Sequence, residues 1–188
     1  NFIEEPLVDK GNTRNYGADV TLEHYMSRGF YGQVNASLFK AEYRGLDKKW
    51  RNQMYDRGYM LKVLGGKEWM LGKRKQNVFN VSVKYTLQGG LRHTPIDVAA
   101  MKANVAAGII DDQPIYKEDQ AMSLQFSPTS ILDLTVSYKI NCKKVSHTIA
   151  FEGVNILQNE TTYAERYDFS TGQLRSDKSG ISLPNFFY

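Results

Sequence analysis

The stretch ILDLTVSYKINCKKVSHTIAFEGVNI, Ile131–Ile156, decides the fold of this chain. Two segments of alternating polar and apolar residues flank a short polar connection, Asn141–Lys144. This pattern is typical of a β-hairpin, because successive side chains of a strand point to opposite faces of the sheet. The stripe that contains Leu132, Leu134 and Val136 has two possible neighbours, the core of a soluble protein or lipid.

The same alternation recurs along the chain and predicts an all-β fold, an antiparallel up-and-down meander of about seven strands. One segment, Ile96–Ala107, has a helix-forming composition and predicts a helical turn within a loop. The alternation in the last part of the hairpin changes phase, which predicts a bulge at Gly153. The predicted strands are Asn15–Tyr25, Phe30–Leu38, Tyr59–Leu71, Val78–Gln88, Ile131–Ile140, Val145–Ile156 and Ile181–Tyr188.

Short and long connections alternate between these strands, so that one end of the sheet carries only short turns and the other carries long loops. The short connections are Met26–Gly29, Gly72–Asn77 and Asn141–Lys144, and the long ones are about Tyr43–Gly58, Gly89–Thr129 and Leu157–Gly180. Aromatic residues lie within a few positions of the short turns, namely Tyr25, Phe30, Trp69, Phe79 and Tyr138.

Composition narrows the function classes. The chain has 188 residues, a net charge of +4 and a pI near 9.0, and it contains no apolar run long enough for a transmembrane helix. The basic residues cluster in turns, at Lys73–Lys75 and Lys143–Lys144, so we expect no nucleic-acid binding. His24, His93 and His147 fall on separate segments without a catalytic spacing. We therefore expect neither an enzyme nor a cofactor.

Two architectures have strands in which polar and apolar residues alternate. A bacterial outer-membrane barrel has short periplasmic turns, long extracellular loops, aromatic girdles and a polar interior. A soluble β-sandwich also alternates, and it could serve as a binding module, for instance for carbohydrate, with Tyr and Trp side chains as platforms. The asymmetric connections and the aromatics near the short turns favour the transmembrane barrel and a location in the bacterial outer membrane.

Four stretches also resemble a known family. They are NYGADVTLEHYMSRGFYGQVNASLFKAEYRG, YMLKVLGGKEWMLGKRKQNVFNVSVKYTLQGGLRHTPID, LDLTVSYKINCKKVSHTIAFEGVNILQNE and the terminal LPNFFY. In this order they resemble the C-terminal β-barrel portion of TonB-dependent outer-membrane receptors, of the kind abundant in Bacteroidetes. The third stretch looks more like the receptors for iron complexes or for unidentified substrates than like the glycan importers.

The resemblance implies a barrel of about 22 strands, plugged by an N-terminal domain, that actively imports large nutrients. Residues 1–188 would be the C-terminal part of that barrel, roughly its last third, without the plug domain and without the last few residues of the final strand. The implied partners are the lipid bilayer, the plug domain and the remaining barrel strands, the TonB complex through the N-terminal part of the receptor, and a nutrient that the sequence does not identify.

Two groups of polar residues are candidates for function within this hypothesis. The first points into the lumen, toward the plug: Asp19, Glu23, Asn35, Lys62, Lys84, Asp133 and Lys139. The second lies in the longest loop, where we expect substrate contacts: Arg92, His93, Asp111 and Asp112.

Overall fold

The main sheet of this protein is an antiparallel meander. The computed structural model describes residues 10–109 and 113–179, and the backbone of 185–187. The all-β prediction is confirmed: seven strands pair in chain order, and an eighth, short strand pairs with the second of them. The seven are β1 (Asn12–Ser27), β2 (Phe30–Arg44), β4 (Tyr59–Leu71), β5 (Asn77–Gln88), β8 (Thr129–Asn141), β9 (Ser146–Gly153) and β12 (Asn185–Phe187), and the short one is β3 (Trp50–Asn52).

The long connections carry the remaining elements, all at one end of the sheet. The two-residue strands β6 (Arg92–His93) and β7 (Leu124–Gln125) pair with each other. A separate hairpin consists of β10 (Thr161–Asp168) and β11 (Gln173–Ser179). The helix α1 (Val98–Ala106) lies where the sequence predicts a helical turn, and a 3-10 turn follows at Glu118–Gln120. No helix in the described part of the chain is long and apolar enough to cross a membrane.

The connections at the other end are tight. Between β1 and β2 only Arg28 and Gly29 remain, both with positive φ (52° and 83°), as a two-residue hairpin turn requires. A Cβ atom at Gly29 would lie 2.4 Å from the carbonyl oxygen of Glu68. Glycine is therefore needed here both for its conformation and for the close approach of β4.

Two details differ from the predicted meander. The strand β9 ends at Gly153 instead of continuing through a bulge to Ile156, because the chain turns at Asn155 (φ 52°). The Ile156 N–H then donates to the carbonyl oxygen of Leu132 (2.8 Å) and fastens this turn to β8. The last long connection was expected to be a loop, whereas it contains the hairpin of β10 and β11.

The register separates the sheet into two faces. Val34, Val63, Tyr85 and Leu132 are paired across β2, β4, β5 and β8, and therefore share one side, which we call the apolar face. Large apolar side chains on this face are exposed in the described structure. They are Tyr16, Val20, Leu22, Phe30, Leu38, Val63, Trp69, Val83, Ile149 and Phe151, each at least 36% exposed.

The buried apolar residues lie elsewhere, among the long connections. Ile96, Met101 and Tyr167 form a small hydrophobic cluster that joins α1 to β10. The chain as a whole exposes 13831 Å² of surface. A compact monomer of 21.5 kDa exposes about 9,000 Å². The sheet is thus a single layer, and the apolar face is not buried against any other element of the described chain.

Two glycines after β5 allow three backbone segments to meet. A Cβ atom at Gly89 would lie 1.9 Å from the carbonyl oxygen of Arg57, and one at Gly90 would lie 2.1 Å from that of Phe126. The Arg57 Nη1 atom also donates to the Gly89 carbonyl oxygen (2.8 Å). The long connections are packed onto the sheet at this point.

We predict that Gly89→Ala destabilises the fold by about 1–3 kcal/mol, because the added methyl group forces a backbone carbonyl to move. Gly65→Ala in β4 is the matched control, since a Cβ atom there meets nothing within 4 Å, and it should change the free energy of unfolding by less than about 1 kcal/mol. Urea unfolding followed by circular dichroism measures both. Equal midpoints for the two variants would contradict the packing described here.

Candidate functional site

A pocket of about 370 Å³ opens among the long connections. Its floor comes from β6 and the residues beside it, and one wall comes from β10. Both apolar and polar side chains line it. The lining comprises Met54, Arg92, His93, Thr94, Ile96, Tyr116, Glu118, Met122, Phe126, Tyr163, Ala164 and Glu165.

His93 is held between an aromatic ring and a carboxylate. Its imidazole stacks on Phe126 with ring centroids 3.9 Å apart and an angle of 6° between the planes. Its Nε2 atom lies 3.5 Å from Oε2 of Glu165, which β10 supplies. The Nδ1 atom is buried and has no hydrogen-bond partner within the described residues. Burial lowers the pKa of His93 from its ordinary 6.5, and Glu165 acts in the opposite direction.

Arg92 is fixed by a buried carboxylate. Asp56 is 1% exposed and accepts a hydrogen bond from the backbone N–H of Ala41 in β2 (3.0 Å). The Arg92 Nε atom donates to the carbonyl oxygen of Asp56 (3.2 Å), and its Nη2 atom lies 3.6 Å from the Asp56 carboxylate. A buried charge needs such a partner. Arg92 therefore connects the pocket to β2 through Asp56, and its charge is already paired.

The pocket has the character of a binding site for a small amphipathic molecule. Its apolar walls can bury a ligand surface, while Tyr116, Tyr163 and Glu118 provide a few polar contacts. Within residues 10–109 and 113–179, no group of His, Cys, Asp and Glu side chains is placed to hold a metal ion. The arrangement around His93 pairs an imidazole with a carboxylate.

The seven residues predicted to point into the lumen share the face opposite the apolar one, which we call the polar face. Glu23, Gln33, Leu64, Lys84 and Asp133 form one cross-strand row of it. The register also places Asp19, Asn35, Lys62 and Lys139 on this face.

The closest contact among these residues joins Lys84 to Asp133. The Lys84 Nζ atom lies 2.7 Å from Asp133 Oδ2, and Asp133 Oδ1 accepts the backbone N–H of Asn155 (2.9 Å). The Asp133 side chain is only 7% exposed, whereas that of Lys84 is 49% exposed. Beside them lies a depression of about 340 Å³, which Lys62 also lines.

Sequence patterns identified part of the pocket. Arg92 and His93 line it as candidate loop contacts, whereas Asp111 and Asp112 lie outside the described residues. Asp56 and Glu165 were not predicted, because each meets its partner across a long stretch of chain that carries no periodic signal.

Comparisons with known proteins give no family for this chain. No protein-family model matches it, and neither a curated protein nor a solved structure shows significant similarity. The likeness to TonB-dependent receptors therefore rests on the sequence stretches alone.

We predict that the stability of the fold decreases below the ordinary pKa of His93. Because burial lowers the pKa of this imidazole in the folded state, the unfolded chain binds the proton first as the pH falls through 6.5. The loss of stability ends once the pH is below the folded pKa. Denaturant unfolding across this pH range measures the effect. The free energy of unfolding should show this pH-dependent loss in the unsubstituted protein and not in His93→Gln.

NMR titration of the His93 ring provides the site-specific check. Glu165→Gln should lower the pKa of His93 further, since it removes the carboxylate that favours the imidazolium. A pKa at or above 6.5 in the unsubstituted protein would contradict the burial seen here.

Alanine substitution of Lys84 and of Asp133 should lower the free energy of unfolding by different amounts. Asp133→Ala removes the oxygen that accepts the buried Asn155 N–H and should cost about 1–3 kcal/mol. Lys84→Ala leaves the Asn155 hydrogen bond in place, and the depression beside the pair gives water access to the Asp133 carboxylate, so this change should cost no more than about 1 kcal/mol. Urea unfolding of both variants measures the difference, and a larger loss for Lys84→Ala would show that the ion pair dominates.

Proposed function

We propose that this chain is a segment of the wall of an outer-membrane β-barrel that imports a nutrient, of the TonB-dependent receptor type. The apolar face contacts lipid, the polar face lines the lumen, and the long connections form the extracellular mouth. The observation that carries the proposal is the continuous, exposed apolar face of a single-layered antiparallel meander. Exposed patches of this kind mark a contact with a membrane or with another protein.

The dimensions of the apolar face suit a bilayer. On β2 it runs from Phe30 to Leu38, nine residues, which matches the 9–11 tilted residues that cross the hydrocarbon layer. At the end with the short turns it is bordered by rings, among them Trp69 and Phe79 with centroids 5.6 Å apart. Aromatic residues in such a position favour the membrane–water interface.

Lys67 lies on the apolar face beside the short turns, and its position agrees with the proposal. Lys67 is in register with Phe30 at the short-turn end. Its ammonium group lies 4.2 Å from the centroid of the Phe30 ring and 5.1 Å from that of Trp69. A lysine near the interface can extend its stem along apolar surface and keep its charge at the headgroup level. The cost of a charge is far smaller there than at mid-bilayer.

The polar face suits a wall that meets a plug. It combines both charge signs with amides, and Asn80 donates to the Tyr31 hydroxyl (2.9 Å) across the strand at Gly66. In the proposed receptor these side chains contact the plug domain and lumen water, and the rest of the barrel supplies the other strands. Energy for import comes from the TonB complex, and the pocket around His93 contributes to substrate contact at the mouth.

A soluble binding module, for instance for carbohydrate, is the second candidate from sequence. A sandwich requires another sheet on the apolar face, and the described residues place none there. The exposed pocket tyrosines fit either protein, so the environment of the apolar face separates the two candidates.

We predict an alternating lipid exposure along β5 in outer membranes of cells that produce the protein. In a Cys142→Ser background, single spin labels at Val81 and Val83 should collide with oxygen, which concentrates in lipid. Labels at Ser82 and Thr86, on the polar face, should be shielded from it. Electron paramagnetic resonance measures the collision rates.

Two outcomes would overturn the membrane proposal. One is equal access of a water-soluble relaxation agent to all four positions. The other is recovery of the protein as a monodisperse monomer without detergent. Import is tested in the same cells, where accumulation of radioactive ferric complexes should require both this protein and TonB. Accumulation that is independent of either would exclude iron complexes as the nutrient.

A further inference from the structure

A charged cluster continues the apolar face toward the long connections. On β2 the last apolar residue of this face is Leu38, and the next residues on the same side are Lys40, Glu42 and Arg44. Each step of two residues advances about 6–7 Å along the strand. Together with Arg14 of β1 and Trp50 of β3, the last three form what we call the cationic belt.

The belt is organised around one buried carboxylate. The Glu42 side chain is 7% exposed, and it holds Arg14 Nε at 2.6 Å and Lys40 Nζ at 3.1 Å. Both cations remain about half exposed, at 47% and 46%. The guanidinium groups of Arg14 and Arg44 lie over the Trp50 ring, 4.2 and 5.0 Å from its centroid. These contacts hold three cations close together on one surface.

Glu42 does not neutralise the belt. Three cations face one carboxylate, which leaves a net charge of +2. Arg14 contacts Glu42 through Nε alone, and the described structure gives its two terminal amino groups no hydrogen-bond partner. A guanidinium with free terminal groups can bind a phosphate through two parallel hydrogen bonds.

We propose that the cationic belt binds the phosphate groups of a membrane lipid headgroup in the outer leaflet. This inference rests on the proposed function, because the lipid side of the barrel is the apolar face. A surface that contacts hydrocarbon up to Leu38 contacts headgroups immediately beyond it. Two arginines, a lysine and an interfacial tryptophan then meet an anionic lipid whose acyl chains cover the apolar face below.

The position of the belt favours a lipid over a soluble phosphate compound. The belt lies on the outer side of the sheet, whereas the pocket that can take a small ligand is lined by other residues. A soluble anion would use the cations alone. A lipid also uses the adjoining apolar face, so that its affinity depends on both parts of the molecule.

The test uses the purified protein in detergent micelles and a phosphorylated glycolipid, diphosphoryl lipid A, as the probe. Binding is compared with that of the same lipid after removal of its phosphates and with that of inorganic phosphate. The belt variant carries Arg14→Gln, Lys40→Gln, Glu42→Gln and Arg44→Gln, so that no buried carboxylate is left unpaired and the net charge falls by two.

The matched control carries Lys73→Gln and Lys75→Gln in the short turn between β4 and β5, which removes the same net charge at the opposite end. Removal of two net charges should weaken binding of diphosphoryl lipid A about thirty-fold in the belt variant. The control should bind like the unsubstituted protein. The lipid without phosphates should bind weakly to all three proteins.

Three results would overturn the inference. They are equal affinity of the belt variant and the control, equal affinity for the lipid with and without phosphates, and full displacement of the lipid by inorganic phosphate at concentrations that fill the belt. A spin label at Val83 reports separately on lipid contact in each variant. If the label contacts lipid but the belt substitutions do not change binding, only this inference is refuted. If the label does not contact lipid in the unsubstituted protein, the proposed function is refuted.

Discussion

The structure depends on the strand register of the meander. A shift by one residue between two strands would move every apolar side chain of one strand to the opposite face. The pairing keeps Val34, Val63, Tyr85 and Leu132 in one row, and it keeps Lys84 opposite Asp133 on the other face. The tight turn at Arg28 and Gly29, together with a one-residue register shift between His24 and Ser27, sets the pairing of β1 and β2. The close carbonyl of Glu68 requires glycine at position 29.

The parts of the fold that sequence reasoning predicted are those with a periodic signal. Clean alternation located β5 and β8 to within two residues at each end, because a sheet with chemically different faces repeats every second residue. It located the start of β2 but ended this strand at Leu38 instead of Arg44. The hairpin of β10 and β11 gave no such signal. Its segments TTYAERYD and QLRSDKS are mostly polar and contain too few apolar residues to show a clear alternation, so the hairpin was read as part of a loop.

The candidate site was less accessible from sequence for a different reason. A histidine in a long loop suggested Arg92 and His93, but the partners that define their chemistry are distant in sequence. Glu165 reaches His93 from β10, and Asp56 reaches Arg92 from the connection before β4. Neither pairing follows a fixed spacing, since both depend on how the long connections fold over one another.

The two ends of the sheet serve different physical requirements, and Asp56 organises the end that carries the long connections. At the short-turn end the connections are short, and the apolar face there presents aromatic rings and Lys67. At the other end Asp56 accepts the Ala41 N–H of β2 and fixes Arg92 of the pocket, while Arg57 binds the carbonyl of Gly89 at the end of β5. The pocket is therefore attached to two strands of the sheet and is not carried on a free loop. In a barrel wall, this attachment would transmit a displacement of the strand ends to His93 and its neighbours, and a ligand in the pocket would in turn bias the positions of those strand ends.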